Sequence, residues 1–118
     1  MRKDYTYLTI YHTSTGEPIA KIIVRFEIIK KIPQWSTVQL EGFVLGKWMP
    51  LLRYDYAPKE KLPVHINKEY LGTDYKEESH CHPTNLIEDA LKKLGTLTET
   101  QILDFIQKRE KVFLKEGK

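Results

Sequence analysis

The chain has 118 residues, of which 41% are hydrophobic and 30% are charged, and its formal net charge at pH 7 is +3. This composition excludes a disordered chain, and the length predicts a single domain over residues 1–118 with a core that needs no disulfide bonds. A lone cysteine, Cys81, excludes an intramolecular disulfide, and 19 basic against 16 acidic residues permit contact with nucleic acid without requiring it.

The sequence contains no sign of export or of insertion into a membrane. No apolar run is long enough to span a bilayer, and the first residues, MRKDYTYLTIYHTS, lack the apolar segment of a signal peptide. A single cysteine also fits a reducing compartment. We therefore expect a cytoplasmic protein that has no membrane partner.

The first 70 residues read as strands. Alternating apolar and polar residues, rich in Tyr, Thr, Ile and Val, are typical of strands and are separated by turn signals such as Gly16 and Gly46. The alternation is clearest in residues 19–30, where apolar side chains fall on one face and charged ones on the other. The predicted strands are residues 5–13, 19–30, 35–45, 48–57 and 62–70.

The pattern changes after a polar, irregular loop over residues 71–83. Apolar spacing in residues 86–94 predicts an amphipathic helix, with Asn85 and Glu88 as a capping box and Gly95 ending the helix in the left-handed conformation. A second capping box, formed by Thr98 and its partner three residues on, starts a second helix. The predicted helices cover residues 85–115. The fold class is therefore α+β: an antiparallel five-stranded meander followed by two C-terminal helices packed on the sheet.

Four polar side chains stand on the two arms of the predicted hairpin LLRYDYAPKEKLPVHIN. Alternation places Arg53 and Asp55 on one face of their strand, and it places His65 and Asn67 on one face of theirs. If the connecting loop, residues 57–63, folds symmetrically, the four residues oppose one another pairwise.

Two interpretations of this hairpin remain open. Asp55 could orient the imidazole of His65 for acid–base catalysis, with Arg53 holding a phosphate or carboxylate group. The four side chains could instead form a cross-strand charge ladder on a solvated sheet face. The candidate substrate contacts are Asn67, Tyr54 and Tyr56. The two tyrosines are included because aromatic rings interleaved with cations can stack bases.

The hairpin resembles the TumE-type toxins of toxin–antitoxin systems. The resemblance rests on Arg53, Tyr54 and Asp55 in a strand, followed after a short charged loop by His65. That family's pattern continues as His-x-His, whereas Asn67 stands at the second histidine position here. The resemblance implies strands followed by helices and an antitoxin protein of the helix-turn-helix class as a partner.

The motif SHCHP, residues 79–83, offers further candidates. His80 or His82 could supply the second histidine if the loop folds back toward His65, giving a base, an acid and a cation for phosphodiester cleavage without a metal. A metal site that combines these histidines with His65 and a nearby aspartate, Asp55 or Asp74, is an alternative, although one cysteine and adjacent ligands suit zinc poorly. We expect neither a metal nor another cofactor.

Two functions from different classes follow. The first is a toxin-like component of a prokaryotic toxin–antitoxin pair that acts on nucleic acid, as a metal-independent RNA-cleaving enzyme. Its catalytic candidates are Arg53, Asp55, His65, His80 and His82. The second is a non-catalytic binding or interaction module that forms homo-oligomers through a sheet edge or a tyrosine-rich face.

Overall fold

A computed structural model describes residues 7–12, 14–59, 63–72, 75–79 and 82–116, and for residues 7–12 it describes the backbone alone. The strands are β1 (Tyr7–His12), β2 (Pro18–Ile29), β3 (Ile32–Val44), β4 (Lys47–Tyr56), β5 (Val64–Asn67) and β6 (Lys76–Glu78). The α-helices are α1 (Leu86–Gly95) and α2 (Glu99–Lys115), and short 3-10 turns cover Glu69–Leu71 and Pro83–Asn85.

The strands form one antiparallel sheet in the order β1-β2-β3-β4-β5-β6, so each strand pairs with its neighbour in sequence. The predicted meander followed by two helices is therefore confirmed. β6 lies inside the segment predicted to be an irregular loop, and all three of its residues are exposed. β5 ends at Asn67, three residues before the predicted end at Tyr70, because a 3-10 turn begins at Glu69.

One face of the sheet is apolar and packs against both helices. The buried cluster joins side chains from β2, β3, β4, β5, α1 and α2. Its members are Ala20, Ile22, Val24, Val38, Leu40, Val44, Met49, Leu51, Leu52, Tyr54, Val64, Leu86, Ala90, Leu94 and Ile102. The alternation in residues 19–30 therefore correctly predicts which side of β2 enters the core.

A bulge in β4 decides which way the polar residues point. Leu40 pairs with Leu52, but Glu41 pairs with Pro50, so Leu51 is an extra residue in β4. Leu51 and Leu52 are both buried in the core. Because the bulge shifts the alternation by one residue, Arg53 faces away from the helices although Leu51, two residues earlier, is buried in the core.

The hairpin between β3 and β4 closes through a tight turn. Leu45 and Gly46 have φ values of 50° and 79°, which is the left-handed pair of a two-residue turn that matches the twist of paired strands. This turn sets Phe43 of β3 directly opposite Trp48 of β4.

The predicted helix caps agree with the structure at the start of α2 but not at either end of α1. Thr98 caps α2 in a capping box with Gln101, as predicted. Asn85 makes no capping hydrogen bond, so its predicted box with Glu88 is wrong. The reason is that α1 continues from the 3-10 turn at Pro83–Asn85, which starts one turn earlier. Gly95 is the last residue of α1 rather than a left-handed cap, because its φ is not positive.

Neither helix of the described chain has the combination of length and apolar character that a membrane-spanning helix requires.

Candidate functional site

The hairpin of β4 and β5 holds the four predicted residues in the expected register. Arg53 pairs with Asn67, and Asp55 pairs with His65, so all four share the face that points away from the helices. The backbone N–H of Ala57 donates to the carbonyl of Pro63 at 2.7 Å and closes the connecting loop, of which residues 60–62 are outside the described chain. The symmetric register predicted from the loop is therefore confirmed.

Three donors converge on one carboxylate oxygen, Oδ2 of Asp55. Nε of Arg53 donates to it at 2.8 Å, Nδ2 of Asn67 at 2.8 Å, and Nε2 of His65 lies 3.2 Å away. The three donors come from two strands, so pairing of β4 with β5 is what assembles the group. We call Arg53, Asp55, His65 and Asn67 the Asp55 cluster.

A second carboxylate joins the Asp55 cluster from outside the hairpin. Nη1 of Arg53 lies 3.2 Å from Oε1 of Glu69, the first residue of the 3-10 turn that follows β5. One guanidinium thus bridges two carboxylates. With a neutral imidazole, the charges of Arg53, Asp55 and Glu69 sum to −1, which disfavours an added anion at Arg53 alone.

The imidazole of His65 is almost completely enclosed. Its side chain is 2% exposed, that of Asp55 is 13% exposed and that of Arg53 is 36% exposed. Because a carboxylate can only accept a hydrogen bond, Nε2 of His65 carries the hydrogen that points at Asp55. Any proton exchange by His65 would therefore take place at Nδ1.

Tyr54 and Tyr56 point to the other side of the sheet. They pair with Ile66 and Val64 on the helix-covered face, whereas their neighbours Arg53 and Asp55 face away from it. Tyr54 is buried, and that burial raises the pKa of its phenol above the ordinary value. These two tyrosines therefore do not line the same surface as the Asp55 cluster.

His82 is also separated from the Asp55 cluster. Its Nδ1 accepts from the backbone N–H of Thr84 at 3.2 Å and so starts the 3-10 turn before α1. It lines an open pocket of about 570 Å³ with Ile66 of β5 and Asp89 and Lys93 of α1. Ile66 is on the helix side of β5, and the pocket is lined by no member of the Asp55 cluster among the described residues, although it reaches Glu78, which pairs with His65.

His80, Cys81 and Asp74 lie outside the described residues. Within the described residues, no group of three or more His, Cys, Asp or Glu side chains is arranged to hold a metal ion.

Glu69 is the member of the site that the sequence did not indicate. The sequence predicts Glu69 within the fifth strand, where alternation would place it on the same face as His65 and Asn67. Its contact with Arg53 depends instead on the chain turning after Asn67. A polar row also crosses the sheet at this level, because Asp55 pairs with Thr37 and Thr37 pairs with Arg25.

No model of a known protein family matches the sequence, and neither a curated protein nor a solved structure matches it significantly. The likeness of Arg53, Tyr54, Asp55 and His65 to TumE-type toxins therefore stays a prediction.

Proposed function

We propose that this protein is the toxin-like component of a prokaryotic toxin–antitoxin pair and acts on RNA at the Asp55 cluster. The observation that supports the proposal is the convergence of Arg53, His65 and Asn67 on Oδ2 of Asp55. A carboxylate that holds one imidazole nitrogen fixes the tautomer and orientation of the ring. This is the positioning half of an acid–base catalyst.

The proposed reaction is metal-independent cleavage of a phosphodiester bond. Nδ1 of His65 would take the proton from the ribose 2′-hydroxyl, whose oxygen attacks phosphorus, while the bond to the 5′ oxygen breaks. The resulting imidazolium would return that proton to the departing 5′ oxygen, directly or through water, leaving a cyclic phosphate. Arg53 would stabilise the charge that develops on the phosphate oxygens.

Asn67 is compatible with this role of Asp55. The side-chain amide of Asn67 donates to Oδ2 of Asp55 at 2.8 Å, the oxygen that His65 also approaches. Asn67 therefore supplies a hydrogen-bond donor at the position where the resembled pattern has a second histidine. An amide neither gains nor loses a proton near neutral pH. Asn67 therefore positions the carboxylate, and a single histidine would have to serve as base and then as acid.

A second candidate function is a non-catalytic binding module. The enclosure of His65, whose side chain is 2% exposed, favours this alternative, because a catalytic imidazole must reach the substrate. In that case the Asp55 cluster would join β4 to β5 and would touch no ligand. The ribonuclease proposal requires the substrate to enter beside Arg53, the most exposed member of the cluster.

Induced expression in a bacterium, with purified protein incubated with RNA in parallel, separates the two functions. The proposal expects growth arrest and metal-independent RNA cleavage, both strongly reduced by Arg53→Ala and by His65→Gln. Lys92→Ala, at an exposed position of α1, serves as a control that should retain full activity. Circular dichroism of each variant establishes that it is folded.

Each outcome decides between the candidates. Cleavage that persists in folded His65→Gln would contradict the assignment of His65, and cleavage lost in His82→Ala but not in His65→Gln would move the site to the pocket that His82 lines. Absence of both toxicity and cleavage in the wild-type protein overturns the enzymatic proposal and leaves the binding module.

A further inference from the structure

An aromatic pair lies at the end of the β3–β4 hairpin. The rings of Phe43 and Trp48 meet edge to face, with centroids 5.3 Å apart and planes inclined by 64°. Nζ of Lys21 lies 4.4 Å from the centroid of the Trp48 ring. Phe43 is 47% exposed, although a large aromatic side chain gains more free energy when buried.

This aromatic pair shares its sheet face with the Asp55 cluster. Phe43 pairs with Trp48, and their neighbours Val44, Gly42 and Met49 are buried toward the helices, so the two rings point the other way. Arg53 lies on that same face of β4. At about 3.3 Å per residue, Trp48 and Arg53 are roughly 15 Å apart along the strand, the span of a few nucleotides.

Cations on β2 complete the surface. Lys21 lies beside Trp48 and 3.6 Å from Glu41, and Arg25 is exposed further along the same face. Among the described residues, Arg25 has no ion pair. It stands two strands from Asp55 in the polar row through Thr37, at about 10 Å for two strand spacings. A phosphate near Arg53 would therefore lie about two strand spacings from a second cation that forms no ion pair with a described carboxylate.

We propose that this face binds single-stranded RNA, with Phe43 and Trp48 as a base-stacking platform and with Lys21 and Arg25 as phosphate contacts. The choice of RNA rests on the proposed function, whereas the stacking platform rests on the aromatic pair. Every base presents a flat π surface, so aromatic rings next to cations hold a single strand without reading its sequence. A duplex is excluded as the ligand because its bases already stack on each other and cannot reach the rings.

The test uses a fluorescently labelled 2′-O-methyl oligoribonucleotide, which lacks the attacking hydroxyl and so cannot be cleaved. Fluorescence anisotropy measures its dissociation constant with the wild-type protein and with variants. We expect Trp48→Ala and Phe43→Ala each to weaken binding about tenfold, and Trp48→Phe to retain most of the affinity. Lys21→Ala and Arg25→Ala should weaken binding and also reduce its dependence on salt concentration.

Two controls distinguish stacking from general surface effects. Ile32→Ala removes an apolar side chain that is 61% exposed at the opposite end of β3, and its affinity should equal that of the wild type. A duplex of the same sequence should bind at least tenfold more weakly than the single strand. Equal affinities of wild type and folded Trp48→Ala, or equal affinities for duplex and single strand, would overturn the platform.

The binding test and the cleavage test can succeed or fail separately. Trp48-dependent binding of the uncleavable strand, combined with no cleavage of ordinary RNA, supports the platform and overturns the ribonuclease. His65-dependent cleavage that is unaffected by Trp48→Ala and Phe43→Ala supports the ribonuclease and overturns the platform.

Discussion

Asp55 and His65 face each other across β4 and β5, and Nε2 of His65 lies 3.2 Å from the Oδ2 atom that Arg53 and Asn67 also contact. The pair is assembled by strand register, since nine residues of chain lie between Asp55 and His65. It is also enclosed, since the exposed fractions of the two side chains are 2% and 13%. An interaction of this kind contributes to stability whatever its role in function, which makes it accessible to experiment.

Removal of the shared carboxylate should destabilise the hairpin. Asp55→Ala leaves Arg53, His65 and Asn67 without their common acceptor, and we expect the free energy of unfolding to fall by about 3 kcal/mol. Asp55→Asn keeps one acceptor oxygen and should lose less. Urea titration followed by circular dichroism measures both. Asp104→Ala removes an exposed carboxylate that pairs with Lys108 on α2 and should change stability by less than about 0.5 kcal/mol. Equal losses for Asp55→Ala and Asp104→Ala would show that the convergence contributes nothing.

Two glycine substitutions should act in opposite directions. A Cβ at Gly42 would lie 2.8 Å from Cγ1 of Ile106 and 2.8 Å from Cδ1 of Leu51, so Gly42→Ala should push α2 off the sheet and lower stability by about 1–3 kcal/mol. Apart from its chain neighbours and the backbone of its own helix, no atom of the described residues lies within 4 Å of a Cβ at Gly95. Gly95→Ala should therefore stabilise α1 by up to about 1 kcal/mol. Thermal unfolding of both variants measures the signs, and a stabilising Gly42→Ala would contradict the close approach of α2.

Alkaline pH should reveal the burial of Tyr54. Burial raises the pKa of its phenol in the folded state, so the phenol ionises at lower pH in the unfolded chain. Its contribution to stability is therefore complete below the unfolded pKa of about 10 and is lost as pH rises through the folded pKa. Tyr54→Phe should lose less stability than the wild type between about pH 9 and pH 11 in urea titrations. Tyr75→Phe, at an exposed position, should follow the wild type. Parallel pH profiles for Tyr54→Phe and wild type would contradict this prediction.

The buried hydroxyl of Thr37 should lower the free energy of unfolding. Its Oγ1 is buried and has no hydrogen-bond partner among the described residues, one strand away from Asp55. Thr37→Val exchanges that hydroxyl for a methyl group of similar shape and should raise the free energy of unfolding by up to about 1 kcal/mol. Thr100→Val, on the exposed side of α2, should leave it unchanged or slightly lower. A drop of more than about 1 kcal/mol for Thr37→Val would indicate that the hydroxyl makes a hydrogen bond.

The order of elements and the register of the key hairpin could be predicted because both are local properties. Alternation with a period of two identifies strands, and a short symmetric loop opposes Asp55 to His65. The capping box at Thr98 is equally local, since it involves residues three apart. The predicted cap at Asn85 failed because the preceding residues already form a 3-10 turn.

Local sequence patterns are enough to predict which residues alternate, where the helices lie and which polar side chains oppose one another on β4 and β5. Three features become visible in the folded chain alone: the bulge at Leu51 turns Arg53 and Asp55 away from the helices, Glu69 reaches Arg53, and His65 is enclosed. The physical reason is that periodicity and turn chemistry act between near neighbours in the chain. Burial and ion pairing depend instead on segments that meet only after the sheet has formed and the helices have packed on it.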